Sequence, residues 1–169
     1  MVFERAWKGL LVIIALLLGG FLVVQTGIVS APWAADRATV YILDADGEPK
    51  ATVEAEIADS ATERYTGLSD HNSLESGEGM LFVHASEGEQ TYVMREMDFD
   101  IDIIFVGADR EITSIEHARA PESGEDGETI QYTGQAKWVL EVPRGYANET
   151  GIEVGDEVVI DEESSDEFM

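Results

Sequence analysis

The sequence predicts an α+β fold, mostly β: a compact, barrel-like sheet domain with one or two short helices, preceded by one N-terminal transmembrane helix. Three observations predict it. Nothing charged stands between Lys8 and Asp36. Beyond that stretch, short runs rich in Val, Ile, Thr and aromatic residues are separated by Asp, Gly and Pro clusters, the pattern of strands joined by turns. One segment, "DSATERYTGLSD", carries the start and stop signals of a helix.

The elements follow in order. Residues 1–8 carry Arg5 and Lys8, and Gly9 to Ile28 supply the roughly 20 apolar residues that a helix needs to cross a bilayer core, with Trp7 and Trp33 as interfacial anchors. A cleaved signal peptide is the alternative, but Pro32 follows Ala31 and the bulky Trp33 lies two residues before Ala35, so the cleavage sites are poor and an uncleaved anchor is expected. Basic residues before the span and acid after it place residues 1–8 in the cytoplasm and the domain outside, at the cell membrane. A linker spans 29–37 and one domain 38–160. Its strands are read at 38–43, 51–58, 79–84, 90–94, 101–106, 111–118, 136–142 and 156–160. The first two flank the turn "DADGEPK". The helix starts at Ser60, which makes a capping box with Glu63, and ends at Gly67. The acidic tail 161–169 is expected to be unstructured.

Composition narrows the function. There are 35 acidic and 10 basic residues, a formal net charge of -25, and three lysines. Such self-repulsion is tolerated where salt screens it, so a halophilic source fits. No basic stripe exists to neutralise phosphates, and nucleic acid is not an expected partner. The absence of cysteine excludes disulfides, thiolate metal sites and a cysteine nucleophile.

The segments "VEAEIADSATERYTGLSD", "GEGMLFVHA", "YVMREMDFDIDIIFV" and "WVLEVPRGYANETGIEVGDEV" follow one another in an order and spacing that resembles the family known as domain of unknown function 192. The resemblance covers roughly residues 51–160 and implies a small β-rich α+β domain of barrel-like form, without supplying a reaction. The anchor and the acidity would make this chain a membrane-anchored, haloarchaeal-like version. Where many relatives read Phe-Trp-Met-Lys-Asn-Thr, this chain reads Tyr92-Val93-Met94-Arg95-Glu96-Met97 and shares Met94. Leu68-Ser69 replaces the commoner Leu-Met after the glycine.

Asp102 is the residue that most needs explaining. On an extended strand Asp98, Asp100, Asp102, Ile104 and Val106 share one face, which turns from acid to apolar at Asp102. Asp98 and Asp100 read as a solvated face, whereas Asp102 is expected to be half-buried and therefore paired. It matches the aspartate in the family's Leu-Asp segment, and Arg64, from the Glu63-Arg64 pair before Gly67, is the expected partner. A ligand-binding or catalytic carboxylate is the other reading. The candidate functional residues are thus Glu63, Arg64, Met94, Asp102 and Trp138, the last with Tyr92 as an aromatic platform. Asn148, in the acceptor Asn148-Glu149-Thr150, is a glycosylation candidate expected at the surface.

Other chemistries fail on spacing. The aspartates at 98, 100 and 102 begin like a calcium loop but have Ile103 where the turn needs Gly. His71, His84 and His117 are scattered, so no metal site is expected. "GLSDH" lacks the final glycine of a nucleophile elbow, and no strand precedes it. No glycine-rich phosphate loop follows a strand, and no cofactor is expected. Three functions remain: an anchored binding or accessory module with an envelope ligand or protein partner, a hydrolase or lyase that uses Glu63 and Asp102 as paired carboxylates, or a structural subunit of a membrane complex. An enzyme would need both acids in one pocket. A binding module would need aromatic and polar groups there, and a structural subunit would show a large apolar patch.

Overall fold

The computed structural model of the chain describes residues 36–162. The expected span 9–28, the segment before it, most of the linker and the tail from 163 lie outside the described residues. Among the described residues no helix is long and apolar enough to cross a membrane.

The domain is α+β and mostly β. Seven strands, β1 (Arg37–Leu43), β2 (Pro49–Ala58), β3 (Glu78–Val93), β4 (Ile101–Val106), β5 (Ile112–Ala118), β6 (Gln131–Pro143) and β7 (Glu157–Glu162), form one curled sheet in the order β5-β4-β6-β3-β2-β1-β7. Two short helices, α1 (Ala61–Thr66) and α2 (Tyr146–Thr150), and a 3-10 turn (Gly127–Thr129) complete it. Neighbours are antiparallel except β2 and β3, whose parallel pairing requires the crossover that contains α1. The curl brings the starts of β5 and β7 together: Ile112 N donates to Asp156 O (3.0 Å), Gly155 N to Ile112 O (2.9 Å) and Val158 N to Arg110 O (2.8 Å).

Sequence chemistry accounts for the turns. In "DADGEPK" the Asp44 carboxylate accepts from the amides of Asp46 and Glu48 (2.9 Å each), while Gly47 takes φ +80°. Ser60 caps α1 in the expected box, its hydroxyl accepting from Glu63 N (3.2 Å) and the Glu63 carboxylate from Ser60 N (2.9 Å). The helix stops at Gly67, where φ +52° and ψ -136° suit glycine alone.

Several expectations change. The strands read at 79–84 and 90–94 are one strand, β3; its pairing with β6 shifts register between Val83 and Gly88, so the polar "ASEGE" is an extended irregularity instead of a turn. Strand β6 starts at Gln131, and Asp161 and Glu162 belong to β7, opposite Thr39 and Ala38. Asp98 and Asp100 precede β4 and do not share its face; Asp100 instead accepts from Ala120 N (2.7 Å).

The sheet buries its inner face along its whole width and its outer face over parts of β3, β4 and β6. One core gathers Val40, Val53, Ile104, Trp138, Leu140 and Val142 inside the curl, with Tyr146 and Ala147 of α2 against it. A second core, containing Leu68, Phe82, Met94, Ile101, Ile103 and Phe105, lies on the opposite face beneath α1 and its following loop. Strand β4 lies between β5 and β6, and every one of its residues is buried. That explains an apolar run without alternation, since a strand covered on both faces needs no polar side.

Candidate functional site

Asp102 is fully buried, not half-buried, and its partner is not Arg64. Its Oδ1 accepts from His117 Nδ1 (2.7 Å) on β5 and from Arg144 Nη1 (2.9 Å) just past β6. Its Oδ2 accepts from the amides of Gly145 (2.9 Å) and Ala147 (3.1 Å). Helix α2 begins at Gly145, which has no side chain to cap it, and Asp102 supplies that cap from another strand. The register explains the choice of arginine. Asp102 lies opposite Val142, and Arg144 is two residues further along. Arg64 donates instead to the carbonyls of Asp59 and Val83 (3.0 Å for the latter). A carboxylate with four donors and no exposed surface is a structural tie between β4, β5, β6 and α2.

The concave feature lies on the other face of the sheet. A cavity of about 260 Å³ opens between α1 with its following loop and the far half of β3. Tyr65, Phe82 and Tyr92 contribute its aromatic lining, and Arg64, His84, Arg95 and Glu141 its ionisable lining. Phe82 meets Tyr92 edge to face with ring centres 5.0 Å apart, and Tyr92 meets Phe105 at 6.0 Å, which fixes the Tyr92 ring. The Tyr92 hydroxyl and His84 Nε2 share a hydrogen bond of 3.0 Å. Arg95 is stacked 3.8 Å over the Tyr65 ring and is paired with Glu128 (3.2 Å). Its Nη2 also donates to Tyr65 O (2.6 Å), which holds the loop after β3 against α1.

Glu141 sits at the floor of the cavity. It lies in β6 between Met80 and Ile103, is only 6% exposed, and no protein donor among the described residues reaches its carboxyl. Burial pushes that carboxyl up to about 8, so at neutral pH it is mostly an uncharged acid with a proton to donate. Burial likewise raises the Tyr92 hydroxyl, chiefly by desolvation, and burial followed by the nearby Arg64 charge lowers the His84 imidazole. The floor is therefore a set of neutral hydrogen-bonding groups with a guanidinium beside them. Glu141 was not among the expected residues. In "AKWVLEV" a single glutamate on an alternating strand reads as solvent-facing, and only the cover over that face of the sheet makes it buried.

The family described as "Uncharacterized ACR", domain of unknown function 192, matches residues 41–160. The chain belongs to this family. The domain of unknown function 192 fold is also that of two solved bacterial proteins. One, from Sinorhizobium meliloti 1021 and described as a candidate transcription regulator, is 21% identical with a TM-score of 0.66, over 75% of this chain and 96% of that one. The other, a protein of unknown function from Novosphingobium aromaticivorans DSM 12444, is 28% identical with a TM-score of 0.65, over 78% of this chain and 91% of that one. No curated protein matches the chain.

Within this domain of unknown function 192 scaffold the candidate residues separate. Arg64 and Met94 line the cavity together. Asp102 does not, and Glu63 is exposed with its carboxylate engaged in the cap of α1, so the two acids do not form a pair. Trp138 does not share a platform with Tyr92. It belongs to the inner core, its ring covered by the Arg110 guanidinium (3.9 Å) and the Lys137 ammonium (4.5 Å). Asn148 is exposed on α2. The departure at Glu96 also has a local reading: its backbone has φ +55°, a region that the asparagine of many relatives tolerates better than glutamate.

Proposed function

We propose that this chain is a membrane-anchored, extracytoplasmic binding module of the cell envelope, and that the cavity beneath α1 holds a small ligand. The observation that carries this reading is the lining: aromatic rings and hydrogen-bonding groups surround a single buried acid, Glu141. Such a set orients and retains a molecule. The enzyme reading loses its paired carboxylates, because Glu63 and Asp102 are occupied elsewhere. The structural-subunit reading lacks its patch among the described residues: of the exposed large apolar side chains Tyr41, Tyr65, Val154 and Val159, only Tyr41 and Val159 are opposite each other in the sheet. The regulator description of the Sinorhizobium protein is not carried over, since a net charge of -25 repels a phosphate backbone. The apolar run 9–28 and the charge bias around it support the anchor and the orientation.

Two arms test this. Protease added to intact cells should remove the domain while the segment before residue 9 stays protected, and a glycan on Asn148 would report the same orientation; survival of the domain until lysis rejects it. Separately, full-length protein in detergent at high salt is dialysed against an envelope small-molecule extract, and the retained molecules are identified by mass spectrometry. Wild type should retain a compound that a cavity-filling Ser69→Trp variant does not. Identical eluates would remove the cavity from consideration.

A further inference from the structure

The cations of the domain are not distributed at random. Among the described residues, Arg37 is paired with Glu56, Lys50 with Asp156, Arg95 with Glu128, Arg119 with Glu125 and Arg144 with Asp102. Three cations have no carboxylate within ion-pair distance there. Arg110 and Lys137 both lie over the ring of Trp138. The third is Arg64, which lines the cavity. In a chain with 35 acidic residues, an arginine held clear of every described carboxylate is a site where an external anion is the missing partner.

The contacts of Arg64 fit that role. One nitrogen, Nη1, is fixed by the carbonyls of Asp59 and Val83, which orient the guanidinium without neutralising it. No described acceptor binds Nε or Nη2, so the planar donor pair that matches a carboxylate remains free. The second, independent sign is Glu141, a side chain more than nine-tenths buried that lines the same cavity and receives no protein hydrogen bond among the described residues. The other ionisable groups around it do not cancel Arg64. The Arg95 charge is offset by Glu128, and Tyr65, Tyr92 and His84 complete the set.

We propose that the cavity binds a small organic acid as its monoanion, the carboxylate seated on Arg64 and a polar group of the ligand hydrogen-bonded to Glu141 and the His84–Tyr92 pair. This rests on the cavity being a ligand site. A single uncompensated guanidinium favours one negative charge over two, which disfavours the phosphate dianion. Glu141 in its acid form donates a hydrogen bond to such a ligand, and its ionisation would place a second negative charge beside the first.

The experiment uses full-length protein in detergent at constant molar KCl, titrated calorimetrically with acetate, lactate and glucuronate. Each is matched with its uncharged amide, and inorganic phosphate is included. At least one acid should bind about tenfold or more tightly than its own amide and than phosphate. Arg64→Gln should abolish that preference, and Arg64→Lys, which keeps the charge but loses the planar fork, should recover only part of it, with circular dichroism unchanged in both. For the preferred acid, affinity should fall between pH 7 and 9 in wild type and stay level in Glu141→Gln. No acid preferred over its amide overturns the proposal. If amides bind as well as acids and Ser69→Trp blocks both, the cavity is still a ligand site and only the acid assignment fails; if no probe binds and the dialysis arm also yields nothing, both readings fail. Binding that survives Arg64→Gln unchanged moves the anion elsewhere and also overturns the proposal.

Discussion

Replacing Asp102 by alanine strips one buried acceptor from four donors, two of them the amides at the start of α2. The expected loss is on the order of 2 to 5 kcal/mol, because two backbone amides are left without their acceptor, while His117 and Arg144 are partly exposed and can be solvated. Arg144→Ala should cost about 1 kcal/mol, since that side chain is 42% exposed and the amides keep their acceptor. In thermal unfolding at fixed high salt, an Arg64/Asp102 double-mutant cycle should show coupling near zero and an Arg144/Asp102 cycle a clear coupling; the reverse would reject the observed pairing. Glu141 makes stability depend on pH. Its folded-state value of about 8 exceeds the ordinary 4.5, so the native state holds a proton that the unfolded state has released. The resulting stability is fully present below about pH 4.5 and lost as pH rises through about 8. Glu141→Gln removes that loss, and its melting temperature should gain on wild type from pH 5 to about pH 8 and then keep a constant lead; parallel curves throughout would show that Glu141 titrates normally. The need of Asp102 for a partner was legible from its apolar neighbours in sequence. Which arginine answers it was not, because the sign of a charge says nothing about strand register.

At the scale of elements, α1 is six residues long and buries no side chain of its own, so its position depends on its ends. Gly67 is the end that matters. Besides its positive φ, a Cβ there would lie 3.3 Å from Phe82 Cζ, in the wall of the cavity. Gly67→Ala should therefore cost roughly 1 to 3 kcal/mol from backbone strain, measured by denaturant unfolding at constant salt, and should weaken any ligand of the cavity. A neutral result would mean that the helix end relaxes freely. The capping box and this glycine were readable because their signals are local. The continuity of β3 was not: "ASEGE" has turn-like composition, and only pairing on both sides of it with β6 keeps the chain extended. The same holds for the early start of β6, whose "QYTGQ" pairs with residues 89–93 across the sheet. Long-range pairing supplied what local preference lacked.

For the whole molecule, the net charge of -25 sets the conditions under which everything above operates. Only eight cations lie among residues 36–162, and five are bound in ion pairs, so most acidic side chains have no cation of their own. The melting temperature of the domain should climb with KCl from dilute buffer to molar salt as repulsion is screened; a flat curve would sink the halophilic reading. The mostly-β class and the strand order along the chain were legible from turn spacing. The closure of the curl and the covering of its outer face were not, since both depend on contacts between distant segments. One consequence of the sheet order is mechanical. Strand β1 lies between β2 and β7, and Ala38 is opposite Glu162, so the two ends of the described chain leave the domain side by side. A pull applied across those ends loads the β1–β7 ladder one rung at a time, as a zipper is opened, and never in shear. A tether at the N-terminal end alone carries no such load, so a domain moored there can be dragged by flow without that ladder being tested, whereas a second attachment at the C-terminal end would place it directly under tension.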